Sequence, residues 1–90
     1  MAEYNELVKH TLWSELSVIA GYSPSEWRRD CFGNAVRYSD YGDRDSEYGW
    51  EIDHIRPQVL GGGDSLSNLR AIHWKANASM GGTLSGAISR

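Results

Sequence analysis

The stretch Trp50–Gly82 reads WEIDHIRPQVLGGGDSLSNLRAIHWKANASMGG, and its punctuation decides the fold. Trp50–Ile55 alternates apolar and polar side chains and is rich in β-formers, which predicts a strand. Pro57 and the run Gly61–Gly63 close that strand and open a loop to about Ser67. Leu69–Trp74 predicts the partner strand, and Lys75–Met80 a short helix stopped by Gly81-Gly82. Into this strand–loop–strand–helix order the sequence sets Asp53 beside His54, then Asn68 fourteen residues beyond His54, then Asn77 nine further on. An acid, an imidazole and two carboxamides on a small fold are the groups a single-metal phosphodiesterase needs.

Working upstream, Glu3 to about Ala20 predicts an amphipathic scaffold helix. Leu7, Val8, Leu12, Leu16 and Ile19 recur mostly three or four apart, and Gly21 stands where a C-cap falls. Ser23-Pro24 reads as the N-cap and first position of a short helical turn. RRDCFGNAVRY, residues 28–38, reads as a tight hairpin turning at Gly33-Asn34, with Cys31 a small apolar residue within it. Arg28-Arg29 has two readings, phosphate contacts or pairing with the neighbouring Glu26 and Asp30. Ser39–Gly49 is polar and turn-rich, so a solvated loop. The whole is expected to be one α+β domain over residues 1–90: a scaffold helix within 1–22, a short β-hairpin, a core over 50–82 and a flexible tail over 83–90.

Composition sets further bounds. With one cysteine, Cys31, the 90-residue chain has neither an internal disulfide nor a four-cysteine zinc framework. Four Trp, five Tyr and one Phe must then supply the large core side chains. No apolar run approaches the ~20 residues that cross a bilayer. The first ten residues also lack an apolar signal region, so the expected location is cytoplasmic and no membrane partner is expected. The net charge of −3 argues at first against nucleic acid, but the charge is uneven. Residues 1–53 carry five Lys/Arg against eleven Asp/Glu, whereas residues 54–90 carry Arg56, Arg70, Lys75 and Arg90 against Asp64 alone. A basic half-chain holding the candidate site fits a phosphate backbone, with modest and salt-sensitive affinity.

The order strand, loop, strand, helix with Asp-His on the first strand, together with Asp53-His54-Ile55-x-Pro57, the loop glycines, Asn68-Leu69 and Asn77, resembles the HNH endonuclease family. The upstream GYSPSEWRRD, the C-x-G-x-x-V hairpin and YGDRDSEYGWEIDHI are similar to small stand-alone bacterial and phage members, so the likeness spans roughly residues 7 to 82. The resemblance implies a ββα-metal core that cleaves or nicks DNA, leaving 5′-phosphate and 3′-hydroxyl ends. It implies that Asp53 and Asn77 hold one divalent ion, Mg²⁺ or Mn²⁺, as hard oxygen donors. It implies that His54 is the general base that takes a proton from the attacking water. Asn68 then acts as a brace tying the loop backbone so that His54 is held, and Arg56, Arg70 and Lys75 are the candidates for DNA contact. One active site cuts one strand, so a double-strand break would take a homodimer or two encounters.

Two departures from the family pattern stand out. The positions where many members place zinc-binding cysteines hold His73 and Ala76, so no structural zinc is expected and His73 reads as a structural histidine. Met80 stands where the final helix commonly carries a basic residue. The rival reading is therefore a catalytically weakened nucleic-acid-binding or regulatory module, and a third is an interaction protein without metal. Geometry raises its own question, since neighbours on a regular strand point to opposite faces. Asp53 and His54 can serve one site only if the strand is ending there. Glu51, two residues before Asp53, shares its strand face and is either a support for the site or a solvent-facing residue.

Overall fold

Asn5 opens the first helix, α1 (Glu6–Ser14), by accepting a hydrogen bond on its side-chain oxygen from the Val8 N–H at 2.9 Å. The computed structural model describes residues 4–81. α1 is followed by β1 (Ser17–Val18), β2 (Trp27–Arg29), β3 (Ala35–Arg37), β4 (Trp50–His54), β5 (Leu69–His73) and α2 (Trp74–Gly81), with single 3-10 turns at Tyr38–Asp40, Gln58–Leu60 and Leu66–Asn68. The strands form two antiparallel sheets, β1-β2-β3 and β4-β5. No helix of the described residues is long and apolar enough to cross a membrane.

α1 is half the length predicted from periodicity. It stops at Ser14, and Ser17–Val18 pairs instead with Arg28–Arg29 as the edge of the first sheet. The cause is long-range. The Arg28 guanidinium donates to the Ser14 carbonyl at 3.2 Å and the Leu16 carbonyl at 3.0 Å, which satisfies acceptors that a further helical turn would have used. Gly21 keeps its positive φ of 86°, but in a turn rather than at the helix end.

The β2–β3 hairpin forms as expected, with a loop of five residues, 30–34, and Gly33 at φ 84°. Cys31 lies in that loop and is exposed, rather than packed within a strand. Asp30 is 3% exposed, and its carboxylate organises the turn. Oδ1 accepts from the Phe32 and Asn34 N–H groups, while Oδ2 accepts from the Asn34 side chain and, at 2.9 Å, from the His73 N–H at the end of β5. One buried carboxylate thus ties the first sheet to the second.

The core is aromatic, as the composition requires. Trp13 and Trp50 are buried with ring centroids 5.2 Å apart; Tyr38 meets both, and Tyr41 meets Trp50 edge-on at 4.9 Å. Each buried indole N–H has a carbonyl partner, Trp13 on Pro24 and Trp50 on Tyr38. Leu12, Val36, Leu69 and Ala71 complete the cluster, so α1, β3, β4 and β5 share one core.

The second sheet and α2 follow the predicted order closely. Trp74, read as the last strand residue, instead begins α2, with its indole N–H on the Ser46 carbonyl at 2.7 Å. The expected tail from Thr83 lies outside the described residues.

Candidate active site

β4 keeps regular pairing through its last residue, with Asp53 opposite Arg70 and His54 opposite Leu69, and it ends at His54. The two neighbouring side chains therefore make separate contacts. The Asp53 Oδ2 accepts from Arg70 Nε at 3.3 Å and Nη2 at 3.2 Å across the strand pair. The His54 ring turns instead to the glycine loop, where Nε2 lies 2.6 Å from Asp64 Oδ1. An ionised carboxylate only accepts, so Nε2 donates to it, and in the neutral form of the ring Nδ1 keeps its lone pair.

The loop that carries Asp64 is built around Asn68. Its Oδ1 accepts from the Arg56 N–H at 2.8 Å, and its Nδ2 donates to the Gly63 carbonyl at 2.7 Å and the Arg56 carbonyl at 3.2 Å. The Ile55 N–H closes on the Asn68 carbonyl at 2.7 Å. The glycine run serves this closure. Gly61 has φ 90°, and a Cβ on Gly62 would run into the Arg56 carbonyl. Asn68 and Gly62 together fold the loop back onto the residues just after His54.

Asn77 reaches β4 from α2. Its Nδ2 donates to Glu51 Oε1 at 2.8 Å. Arg44, from the polar loop before β4, grips both Glu51 oxygens, Nε to Oε2 at 2.6 Å and Nη2 to Oε1 at 2.7 Å. That guanidinium, aided by Asn77, holds the Glu51 carboxyl below the usual carboxylate range against the opposing effect of partial burial.

His54, Glu51 and Asn77 line one cavity of about 720 Å³, together with Tyr4, Lys9, Tyr41, Arg44 and Gln58. Asp53 is not in that lining, because its carboxylate is drawn toward Arg70. It still acts on the same space. Burial pushes the Tyr4 hydroxyl up, and the negative charges of Asp64 and Asp53 add to the effect, so both carboxylates lie within electrostatic reach of the ring that borders the cavity.

The residues fit a hard divalent ion in donor chemistry. Among the described residues no hydrogen bond reaches Oδ1 of Asp53 or Oδ1 of Asn77, because each side chain is held through its other polar atom. Both are oxygen donors of the kind that would hold a hard divalent ion such as Mg²⁺ or Mn²⁺. Among the described residues no three His, Cys, Asp or Glu side chains converge on one point.

The predicted DNA contacts divide. Arg56 is exposed, with Nε on the Leu60 carbonyl at 2.8 Å, and Lys75 is exposed with its ammonium over the Trp74 ring. Arg70 is half-buried and engaged by Asp53, with Cys31 Sγ and Met80 Sδ also within reach of its guanidinium. Among the described residues, neither Arg28 nor Arg29 pairs with Glu26 or Asp30. Arg28 caps the end of α1, and Arg29 donates to the Gly33 carbonyl. His73 is buried with both ring nitrogens in use, Nε2 donating to the Glu47 carbonyl and Nδ1 accepting from the Lys75 N–H.

Sequence reasoning missed Lys9 and Arg44, the cations that line the cavity. Lys9 reaches it because α1 docks against the second sheet, which no local signal encodes. Arg44 carried a faint one, a single cation amid five acidic residues at positions 40–51.

No curated protein and no solved structure gives a significant match to this chain. Residues 40–80 match the model of the HNH endonuclease family, a span that takes in β4, the glycine loop, β5 and most of α2 but neither α1 nor the first sheet. Over residues 40–80 the chain is similar to the HNH endonuclease family, a likeness that points to nuclease-type chemistry on nucleic acid.

Proposed function

We propose that this chain is a metal-dependent DNA endonuclease in which His54 is the general base and Asp53 and Asn77 hold one divalent ion, Mg²⁺ or Mn²⁺. The observation that carries the reading is the meeting of His54 and Asn77 at one cavity inside the matched segment, with Asp53 next to His54 on β4 though outside the cavity lining. Asp64 fixes the His54 proton on Nε2, which leaves Nδ1 to take a proton from a water aimed at phosphorus. Asn68 holds the turn after His54, so the ring is positioned by the strand on one side and the loop on the other. A bound divalent ion would supply electrostatic stabilisation of the phosphate and of the leaving oxygen. Arg56 and Lys75, both exposed, are placed to meet the DNA backbone, and Arg70 orients the Asp53 carboxylate for the ion.

The rival reading, a nucleic-acid-binding or regulatory module with weakened catalysis, has its own support. Arg70 occupies one oxygen of Asp53, and Met80 rather than a cation lies beside it. Incubation of supercoiled plasmid with Mg²⁺, with Mn²⁺ and with EDTA decides between the two. Conversion to nicked circles with either metal and none with EDTA is the expected result. Plasmid binding with no nicking under any metal would establish the rival instead.

A further inference from the structure

We propose that Glu51 is a positioning residue that decides which end of the Asn77 amide faces the metal. The proposal rests on the reading of Asn77 as a metal ligand and extends it. An amide side chain is ambiguous, with an oxygen that a cation accepts and an NH₂ group that it repels. Glu51 removes the ambiguity. Its carboxylate can only accept, and its Oε1 lies 2.8 Å from Asn77 Nδ2. Rotating the amide would set Oδ1 against that carboxylate and lose the bond. Nδ2 is therefore held on Glu51, and Oδ1 is directed away from it.

Glu51 can do this because it is itself fixed. It lies on the same face of β4 as Asp53, two residues earlier, and Arg44 holds both of its oxygens. The pair leaves Glu51 17% exposed and Arg44 51% exposed, so the orienting chain runs from solvent inward to the amide. Arg44 also balances the Glu51 charge, so the carboxylate orients Asn77 without competing for the ion as an unpaired anion.

Titration of the full chain with Mn²⁺, followed through the EPR signal of the free ion, tests the assignment. Glu51→Ala is expected to weaken Mn²⁺ binding about 10-fold, the usual effect of losing a group that orients a metal ligand. In an Asn77→Asp background the same change is expected to cost nothing or to tighten binding, because a carboxylate presents an oxygen whichever way it turns. Wild-type affinity in Glu51→Ala would overturn the proposal while leaving the metal reading intact. An equal loss with Asn77 present and in the Asn77→Asp background would also overturn it, by making Glu51 a ligand or a general support. If the wild-type chain binds no Mn²⁺, the metal reading fails first and takes this one with it. Glu51→Met, which keeps the side-chain length without the acceptor, replaces Glu51→Ala if the alanine variant does not fold.

Discussion

The two sheets use their charged side chains in opposite ways. In the first, Arg37 pairs with the Glu26 side chain, but the charges of β2 and its turn are consumed by backbone. Arg28 caps carbonyls at the end of α1, Arg29 caps the hairpin, and Asp30 accepts from three main-chain N–H groups and one side chain. In the second, side chains hold one another. Asp53 meets Arg70, His54 meets Asp64, and Asn77 meets Glu51, each through one polar atom, while among the described residues no hydrogen bond reaches a second. A charge engaged by backbone stabilises a turn and is unavailable for chemistry. A side chain held at one end and open at the other is oriented yet still able to bind. The contrast separates a scaffold from a site without reference to any substrate.

Removing the proposed base tests this contrast most severely. His54→Ala is expected to lower plasmid nicking by roughly 10²- to 10⁴-fold, the usual contribution of a positioned general base, with little change in thermal stability. Near-normal nicking by a folded His54→Ala protein would remove the site from this sheet.

Asp30→Ala applies the opposite test. It strands buried N–H groups at both ends of the link between the sheets, and should cost about 3 kcal/mol in urea unfolding. Nicking per folded molecule should be unchanged; a specific loss of rate would give the first sheet a catalytic role. Asn68→Ala lies between the two, since the loop it braces belongs to the second sheet. Activity should fall about 10-fold from the misplaced His54, with a smaller loss of stability than Asp30→Ala.

The smallest effect is expected at alkaline pH. Burial, with help from the Glu6 carboxylate that accepts its hydroxyl at 2.8 Å, pushes Tyr38 up to about 12. The folded state thus favours the protonated phenol. The stabilisation is fully present below the ordinary tyrosine range near pH 10 and is lost as pH rises to about 12. Phenolate absorbance should show Tyr38 ionising late, and Glu6→Gln should bring that step to lower pH. An unshifted step would mean that the contact between α1 and the turn at Tyr38–Asp40 is weaker than its geometry.

Much of the second sheet was legible in the sequence because its signals are local. Pro57, the glycine run and the alternation of Trp50–His54 each act within a few residues, and the β4–β5 pairing follows from the loop between them. The hairpin at Gly33 was legible for the same reason. What escaped the reading depends on partners distant in sequence. The end of α1 is set by Arg28, fourteen residues after Ser14. Arg70 looked like a free cation because only the strand register places it opposite Asp53. Cys31 looked apolar because the hairpin loop is longer than a two-residue turn, which carries that side chain outward. Within the candidate site, the residue types were legible from spacing, whereas the atoms left open on them depend on Glu51, Asp64 and Arg70 as packed neighbours.

The Trp13–Trp50 pair bears on portability. Trp50 begins the strand that carries Asp53 and His54, yet it is fully buried, and much of its cover comes from Trp13 on α1 and from Tyr38, both outside residues 40–80. Cut out along the boundaries of the family match, the segment would expose an indole face at the root of its own site. Moved into another protein, it would need a host surface shaped to cover that face before His54 could be held in place.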